Sequence, residues 1–229
     1  MNYSNDFKDY ALNGLGISKA QYMAWDKLQE TLYNRNSMTP YILEEREMRA
    51  TQIDIFSRMM GERIIWAAGV VNENMSTIIQ AQLMYLDSIG SDDIKIYING
   101  PGGSVSAGLS IIDVMSYISC DISTVNVGMA ASMDAVLLGS GTKGKRMSLP
   151  NSKVMIHSVS SGCEGVLADM KISLNESEKY NTLLFNMLGE YCNKDPEQIK
   201  KDADRDYWMT SEEALEYGII DDIITKKSK

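Results

Sequence analysis

Apolar and polar residues follow different patterns before and after about residue 60. Residues 1 to about 50 are polar and show no sustained period, so we predict a variable N-terminal arm or pro-segment before one folded domain at 51–229. A tail ordered only by contact with neighbours is an open alternative. From Arg63 onward, short apolar runs typical of buried strands alternate with longer segments whose apolar residues recur every three or four positions. This alternation predicts parallel strands joined by right-handed crossovers, an α/β fold.

The spacing of apolar residues also predicts the individual elements. Strands are expected at 64–71, 94–98, 122–127, 146–149, 153–157 and 219–224, and helices at 74–86, 105–118 and about 165–192. Between the second strand and the second helix, Gly100-Pro101-Gly102-Gly103 predicts a turn. Thr210-Ser211 with Glu213 forms a helix N-cap pattern, and the short helix that it opens is predicted to end at Gly218.

Composition narrows the classes of function. The chain has 229 residues and a formal net charge of −9, and this acidity disfavours binding to nucleic acid, whose phosphates attract Lys and Arg. Apolar runs such as 64–71 are far shorter than the ~20 residues that a membrane span needs. The N-terminus has no basic segment followed by an apolar one, so no secretory signal is expected. We predict a cytoplasmic protein without nucleic-acid or membrane partners.

The chain contains a single histidine, His157. A His-rich metal site is therefore excluded, and the cysteines do not compensate. Cys120, Cys163 and Cys192 are far apart and form no C-x-x-C pair, so neither a zinc nor an iron–sulfur site is expected. Three unpatterned cysteines are typical of a reducing compartment. If the chain performs histidine chemistry, His157 carries it.

Three segments at predicted strand ends have residues suited to catalysis. The glycines at 99–104 can direct backbone N–H groups towards an anion, or can simply form a tight turn. Ser132 lies just after a strand among small residues, as an exposed hydroxyl or as an ordinary N-cap. His157 ends an apolar strand, as a base or as a core side chain. A serine nucleophile needs a base, and the base needs an orienting carboxylate, so the three segments together favour a serine hydrolase.

One glycine-rich segment matches a nucleotide-binding motif only in part. Gly139 to Lys145 fits G-x-x-x-x-G-K, but Arg146 stands where that motif has a Ser or Thr for Mg²⁺. The segment also follows the apolar stretch at 130–138, which we predict to be helical, and precedes a strand, which is the reverse of the order that the motif requires. We predict that this chain binds no nucleotide.

These segments, together with others in the same order, resemble the ClpP family, the proteolytic subunits of the bacterial ATP-dependent Clp proteases. The resemblance runs from about Asp54 to Ile224. It rests on Asp54-Ile55-Phe56-Ser57-Arg58, Tyr97-Ile98-Asn99, Pro101-Gly102-Gly103-Ser104-Val105, Ala130-Ala131-Ser132-Met133, Lys143-Gly144-Lys145-Arg146, Leu149-Pro150-Asn151-Ser152, Met155-Ile156-His157 and Arg205-Asp206.

The resemblance implies a crotonase-like ββα superhelix with a projecting handle helix at about 160–193. It implies a catalytic triad in which Ser132 is the nucleophile, His157 the general base and Asp206 the orienting acid. Residue types alone do not select Asp206 over Asp202 or Asp204. The implied oxyanion hole consists of the backbone N–H groups of Gly103 and Met133, and the implied substrate-strand region contains Ser104, Val105 and Ser158.

The implied activity is that of a serine endopeptidase that degrades unfolded polypeptides inside a ring-shaped chamber. The implied assembly is a homo-oligomer of two stacked heptameric rings, with a paralogous subunit as a further partner to consider. An AAA+ unfoldase would feed the chamber and use the ATP. This chain would therefore bind no cofactor and no metal.

Two departures from the family pattern keep other interpretations open. Asp134 stands where a glycine usually follows the Ser-Met pair, and Ser158-Val159 stands where Gln-Pro usually follows the histidine. A divergent paralogue with narrowed specificity fits these departures, and so does a catalytically weak or silent structural subunit of a mixed complex. A more remote alternative is a crotonase-type acyl-CoA lyase, which would use the glycine turn and carboxylates but no serine.

Overall fold

A computed structural model describes residues 41–46, 49–160, 162 and 165–225. The described residues form two compact units that divide between Ile55 and Phe56. In the first unit, β1 (Tyr41–Arg46) and β2 (Arg49–Asp54) form an antiparallel pair that the sequence analysis did not predict. Most of the predicted arm lies outside the described residues, so the boundary at residue 50 stays a prediction.

The remaining elements alternate between helix and strand. In chain order they are α1 (Ile55–Met60), β3 (Ile64–Val71), α2 (Glu73–Ile89), β4 (Ile94–Gly103), α3 (Val105–Tyr117), β5 (Ile122–Ala131), α4 (Met133–Gly139), β6 (Arg146–Ser148), β7 (Lys153–Ile156), α5 (Leu167–Cys192), α6 (Pro196–Asp202), β8 (Tyr207–Thr210), α7 (Ser211–Tyr217) and β9 (Asp222–Ile223). The predicted alternation is confirmed, whereas α1, α6 and β8 were not predicted.

The central sheet branches at β5. Strands β3, β4 and β5 are parallel neighbours, and the first half of β5 continues the sheet through the parallel strands β6 and β9. The end of β5 pairs instead with β7, again in parallel. Strand β8 pairs with β7 in the antiparallel direction. The expectation of parallel strands is therefore wrong for this pair, and it holds for the other pairs of this sheet. The branch directs the ends of β5, β7 and β8 towards one place.

The helical periodicity of the sequence corresponds to the faces that α2 and α3 bury. Ile79, Leu83 and Leu86 of α2 recur every three or four residues and are buried, whereas Ile78 is 58% exposed. The strands contribute buried residues such as Ile96, which has no exposed surface. Burial of each such side chain contributes roughly 1.5–3 kcal/mol relative to exposure. This core packs the sheet against its helices and fixes the strand ends.

Strands β4 and β5 are longer than predicted. The predicted turn at Gly100 is wrong, because β4 continues through the glycines to Gly103, where it pairs with Val71. A Cβ atom on Gly103 would overlap the Val71 carbonyl oxygen, so only glycine permits this close pairing. Strand β5 likewise continues to Ala131. The glycine end of β4 therefore lies beside the residue that follows β5, which is Ser132.

Among the described residues, the long helix α5 buries its side chains in the core at its C-terminal end. Its buried residues all lie in the last third: Leu184, Phe185, Leu188, Gly189 and Cys192. The earlier turns carry exposed apolar side chains, including Leu167, Ile172 and Leu174. The helix covers Leu167–Cys192 of the predicted handle at about 160–193, and the outer limits of the handle stay a prediction. Over the residues described, no helix combines the length and the apolarity needed to cross a membrane.

Candidate active site

Ser132 lies at the junction between β5 and α4 in an unusual backbone conformation. Its φ is 56° and its ψ is −120°, a region that residues with a side chain rarely adopt and that costs roughly 1–3 kcal/mol. Its N–H donates to the Met155 carbonyl oxygen at 2.8 Å, which holds the junction against β7. The N-cap alternative is wrong, because the Ser132 side chain makes no capping hydrogen bond. The sharp turn presents the hydroxyl group instead.

Strand register brings His157 and Asp206 to this hydroxyl. Ala131 pairs with Met155 in the parallel β5–β7 ladder, so the residues that follow these strands, Ser132 and His157, emerge side by side. In the antiparallel β7–β8 ladder, Ile156 pairs with Tyr207. The next step of this ladder would place His157 opposite Asp206, which immediately precedes β8. Three strands thus position the three side chains.

The three side chains are joined by two hydrogen bonds. His157 Nε2 lies 2.8 Å from Ser132 Oγ, and His157 Nδ1 lies 3.1 Å from Asp206 Oδ1. In the tautomer with the proton on Nδ1, the ring donates to Asp206 and its Nε2 accepts the Ser132 proton. The His157 side chain is 22% exposed, whereas that of Asp206 is 60% exposed. The arrangement can remove the proton from the serine hydroxyl.

The structure also distinguishes Asp206 from the other two aspartates of its segment. Asp202 accepts hydrogen bonds from Tyr217 Oη at 2.9 Å and from Gln198 Nε2 at 2.7 Å. The backbone N–H of Asp204 donates to the Lys201 carbonyl oxygen. Of the three, only Asp206 forms a hydrogen bond with His157.

The two predicted oxyanion donors lie on either side of Ser132. A Cβ atom on Gly102 would come within 2.7 Å of both the Met133 nitrogen and the Ser132 Cβ, so the end of β4 rests directly on the start of α4. Gly103 and Met133 line the same cavity as Ser132 and His157. The end of β4 and the start of α4 therefore meet beside Ser132.

An apolar cavity of about 170 Å³ adjoins Ser132 and His157. Its apolar wall is formed by Val105, Met133, Val136, Ile156, Leu184 and Leu188. Asn181 also lines it, and its Oδ1 accepts the Val159 N–H at 2.7 Å, which fixes the segment after the histidine. Sequence reasoning missed Asn181, because a polar residue within the long α5 helix carries no signal of its own.

The other predicted substrate-strand residues make contacts within the chain. Ser104 donates its N–H to Val71, and its side chain accepts the Ala107 N–H at the start of α3. Ser158 donates both its N–H and its hydroxyl to the Ala203 carbonyl oxygen, at 2.8 and 3.0 Å. These donors are occupied in the structure. The role of Ser104 and Ser158 towards a substrate stays a prediction.

Comparison with known proteins identifies the relatives of this chain. The sequence model of one protein family, Clp protease, matches residues 45–227. A protein of Porphyromonas gingivalis is 45% identical over 226 residues, covering 98% of this chain and all of the relative. One of Bacteroides thetaiotaomicron is 45% identical over 224 residues, covering 97% and all, respectively. A third, of Bacteroides fragilis, is 48% identical over 191 residues, covering 83% and 92%. Each bears the name ATP-dependent Clp protease proteolytic subunit.

These matches confirm the resemblance inferred from sequence, the α/β fold class of that family and the prediction of a proteolytic enzyme subunit. The matched region includes Ser132, His157 and Asp206 together with the strands that position them. The chain belongs to the Clp protease family.

Proposed function

We propose that this chain is a serine endopeptidase subunit in which Ser132 is the nucleophile, His157 the general base and Asp206 the orienting acid. The observation that carries the proposal is the position of His157, which is hydrogen-bonded to Ser132 on one side and to Asp206 on the other. The strained backbone of Ser132 supports it, since a strain of this kind is retained where a reactive group must be presented.

Acylation begins when Ser132 Oγ attacks the carbonyl carbon of the peptide bond while His157 Nε2 takes the hydroxyl proton. The carbonyl oxygen becomes negatively charged and accepts hydrogen bonds from the N–H groups of Gly103 and Met133. Asp206 stabilises the imidazolium that has formed. The imidazolium then gives its proton to the peptide nitrogen, the C–N bond breaks, and the amine leaves an ester on Ser132.

Deacylation repeats these steps with water. His157 takes a proton from a water molecule, whose oxygen attacks the ester carbon, and the same two N–H groups hold the second oxyanion. When this intermediate collapses, His157 returns the proton to Ser132 Oγ and the carboxylic acid leaves. The single histidine therefore serves both half-reactions.

The cavity beside Ser132 supports a preference for an apolar residue before the cleaved bond. Its walls are mainly aliphatic, and about 170 Å³ accommodates one side chain of the size of Leu, Met or Phe. No Asp, Glu, Lys or Arg is among its described lining residues. A charged side chain in this position would lose its hydration without gaining a partner.

We further propose that the chain assembles with copies of itself into two stacked heptameric rings, with a paralogous subunit as an alternative ring component. The exposed apolar residues on the first turns of α5 support association, because a cluster of apolar side chains on a protein surface usually marks a contact with another molecule. The substrates would be unfolded polypeptides supplied by an AAA+ unfoldase of the Clp type, which would use the ATP.

The hydrogen bonds of the glycine-rich loop before β6 support the proposal that the partner, and not this chain, binds ATP. Its Gly144 N–H donates to Asp221 Oδ2 at 2.7 Å, and the Arg146 N–H donates to the same oxygen at 3.1 Å. The Arg146 guanidinium binds both oxygens of Asp221 as well. The donors that a phosphate would need are thus held by a carboxylate of this chain.

A cytoplasmic location also belongs to the proposal. Cys120 and Cys192 are free, buried thiols in the described part of the chain, in agreement with a reducing compartment. Of the two alternative functions, a silent subunit is disfavoured by the hydrogen-bonded triad, and an acyl-CoA lyase by the lack of a carboxylate among the described residues of the cavity wall.

Hydrolysis of a short fluorogenic peptide by the assembled protein, together with labelling by a fluorophosphonate, tests the proposal. We expect Ser132→Ala and His157→Ala each to lower kcat by about 10⁴–10⁶. We expect about 10²–10⁴ for Asp206→Asn, since an amide cannot stabilise the imidazolium. Asp202→Asn is the matched control, because Asp202 is hydrogen-bonded to Tyr217 and not to His157. This substitution should leave kcat within about twofold of the wild type.

Hydrolysis of the peptide that persists in Ser132→Ala would contradict the mechanism. No labelling of the wild type, even with an active paralogue and an unfoldase present, would favour the silent subunit. Turnover of a CoA thioester that survives Ser132→Ala would favour the lyase. A protein that elutes as a monomer of 25.5 kDa at micromolar concentration would contradict the ring assembly.

A further inference from the structure

Asp134 is a buried acid beside the nucleophile that the mechanism above does not use. It is the second residue of α4, directly after Met133, and it is 1% exposed. Its Oδ2 accepts the backbone N–H of Gly102 at 2.9 Å. The carboxyl group is not among the residues that line the cavity beside Ser132, so it does not act as a wall of the substrate pocket.

This hydrogen bond joins the two backbone segments that supply the oxyanion donors. On one side, the carboxyl group belongs to the residue next to Met133. On the other side, it holds the residue next to Gly103. The bond therefore spans from the start of α4 to the glycine end of β4. It fixes the distance between two N–H groups that must point at the same oxygen.

The surrounding glycines show how closely the strand end fits this carboxyl group. A Cβ atom on Gly100 would overlap Asp134 Oδ2, so the strand approaches the carboxyl group as closely as only a glycine allows. A Cβ atom on Gly102 would come within 2.7 Å of the Met133 nitrogen. The glycine end of β4 is thus held between a backbone nitrogen and a side-chain oxygen of one short helix.

The other carboxyl oxygen shows that burial of this side chain has an energetic cost. Asp134 Oδ1 is buried and has no hydrogen-bond partner among the described residues. Burial raises the pKa of Asp134 to about 7, although the Gly102 hydrogen bond lowers it. A buried acid of this kind destabilises the fold, and an apolar residue would avoid the loss. This loss of stability has a functional explanation if the acceptor for Gly102 serves the active site.

We propose that Asp134 is a positioning residue for the oxyanion hole, in which its carboxyl group ties the Gly102–Gly103 end of β4 to the Met133 end of α4. The inference rests on the proposed function of Ser132. Its effect falls on the transition state, because only there does the substrate oxygen carry the charge that the two N–H groups stabilise.

The test compares Asp134→Leu, which removes the acceptor, with Asp134→Asn, which keeps an oxygen for the Gly102 N–H. We expect Asp134→Leu to lower kcat by about 10–100-fold, less than the 10²–10³ for complete loss of one donor, since the donors are displaced rather than removed. KM should change by less than about twofold. Asp134→Asn should retain kcat within about threefold. Labelling of Ser132 by a fluorophosphonate should slow in parallel with kcat, because its phosphoryl oxygen enters the same hole.

Asp87→Leu is the matched control. Asp87 also accepts backbone N–H groups from another segment, those of Ser119 and Cys120, but it does so before the first residue of β5, at the opposite end of that strand from Ser132. Its loss should leave kcat within about twofold. If Asp134→Leu does not assemble, Asp134→Ala replaces it with the same expectation.

Two results would overturn the inference in distinguishable ways. A wild type with Ser132-dependent hydrolysis in which Asp134→Leu and Asp134→Asn have equal kcat would refute the role of Asp134 and leave the proposed function intact. A wild type without any Ser132-dependent hydrolysis would overturn both.

Discussion

Asp221 and Asp134 both accept backbone N–H groups, yet their carboxyl groups have opposite pKa directions. Around Asp221, burial acts to raise the pKa, but the hydrogen bonds and charge of Arg146 outweigh it and lower the pKa to about 2. Asp134 accepts the Gly102 N–H, and among the described residues no cation pairs with it. Its pKa is therefore raised by burial to about 7. One neutral hydrogen bond does not compensate for the lost hydration of a carboxylate.

The raised pKa of Asp134 predicts that stability falls with pH. Between the ordinary value of 3.8 and about 7, the folded protein holds a proton that the unfolded chain releases. Stability is therefore lost as the pH rises through this window, by an amount on the order of 4 kcal/mol when the loss is complete. Asp134→Asn removes this titration. The thermal unfolding midpoint of Asp134→Asn minus that of the wild type should therefore increase from pH 4.5 to pH 8.

The comparison between the two proteins cancels the titration of every other group. A difference in midpoint that stays constant over this pH range would show that Asp134 does not carry the proton. Asp87→Asn serves as the control, because hydrogen bonds from Ser119 and Cys120 lower the pKa of Asp87. The difference in unfolding midpoint between Asp87→Asn and the wild type should not change with pH above pH 5.

Residue types alone identified some of the site. His157 followed from being the single histidine, and Ser132 from its small neighbours after a strand. Asp206 did not follow from composition, because the choice depends on the β7–β8 register, which pairs segments about 50 residues apart. The contacts of Asn181 and Asp134 could not be predicted either. Each acts on a backbone N–H of another element, which no local pattern encodes.

Among the elements, those with long apolar patterns were predicted best. Helices α2 and α3 follow the periodicity of the sequence, because each buries a regular face of side chains, and β3 coincides with the apolar run at 64–71. Strand β8 was missed because it has four residues and two of them, Tyr207 and Trp208, are exposed. The capping box at Thr210 was predicted and is confirmed, together with the left-handed Gly218 at the end of α7.

Among the elements, the main error is the predicted turn at Gly100 to Gly103, where β4 continues as a strand. The difference is important because this end of β4 lies beside Ser132. Glycine is usually a poor strand residue, so Gly100 to Gly103 suggested a turn. The structure uses them as a strand that approaches its neighbours unusually closely, with Gly103 against the Val71 carbonyl oxygen. The requirement for glycine is therefore steric, and at Gly102 and Gly103 it is also conformational, because both have a positive φ.

This steric requirement predicts the effect of Gly103→Ala. The variant keeps the backbone N–H but its methyl group overlaps Val71 and its φ is 153°, so the end of β4 must move away from Ser132. We expect kcat to fall by about 10²-fold, as for loss of one oxyanion donor. The fold should be destabilised by about 1–3 kcal/mol. Peptide hydrolysis and thermal unfolding measure the two effects.

Gly162→Ala is the control for this prediction. Gly162 also follows strand β7 along the chain, but no described residue lies within 4 Å of a Cβ atom there, and its φ lies outside the left-handed region. Its kcat and unfolding midpoint should stay close to those of the wild type. A Gly103→Ala enzyme with wild-type kcat would show that the end of β4 does not supply an oxyanion donor.

For the whole molecule, exposed apolar side chains mark surface that the core of the chain does not cover. Helix α2 exposes Ile78 and Ile89, but it and α3 bury one apolar face within the chain, as does the sheet. The first turns of α5 do not, since Ile172 is 62% exposed and Leu167 and Leu174 are also exposed. A sequence pattern reports that a helix has an apolar face, but not which molecule covers it. The prediction of an assembly therefore rests on the family resemblance and not on the periodicity of apolar residues.

If the exposed apolar side chains of α5 hold two rings together, replacing these side chains with charged ones should separate the rings. We expect Ile172→Asp with Leu174→Asp to elute at about half the mass of the wild-type assembly, because a buried carboxylate without a partner costs several kcal/mol per interface. Far-UV circular dichroism should be unchanged, since neither side chain packs in the core of its own chain. Ser173→Asp adds a charge on the same exposed turn beside Ile172 but removes no apolar side chain, so it should keep the full mass. Equal masses for the double variant and the wild type, measured by light scattering, would show that other surfaces join the rings and that the exposed residues of α5 serve another contact.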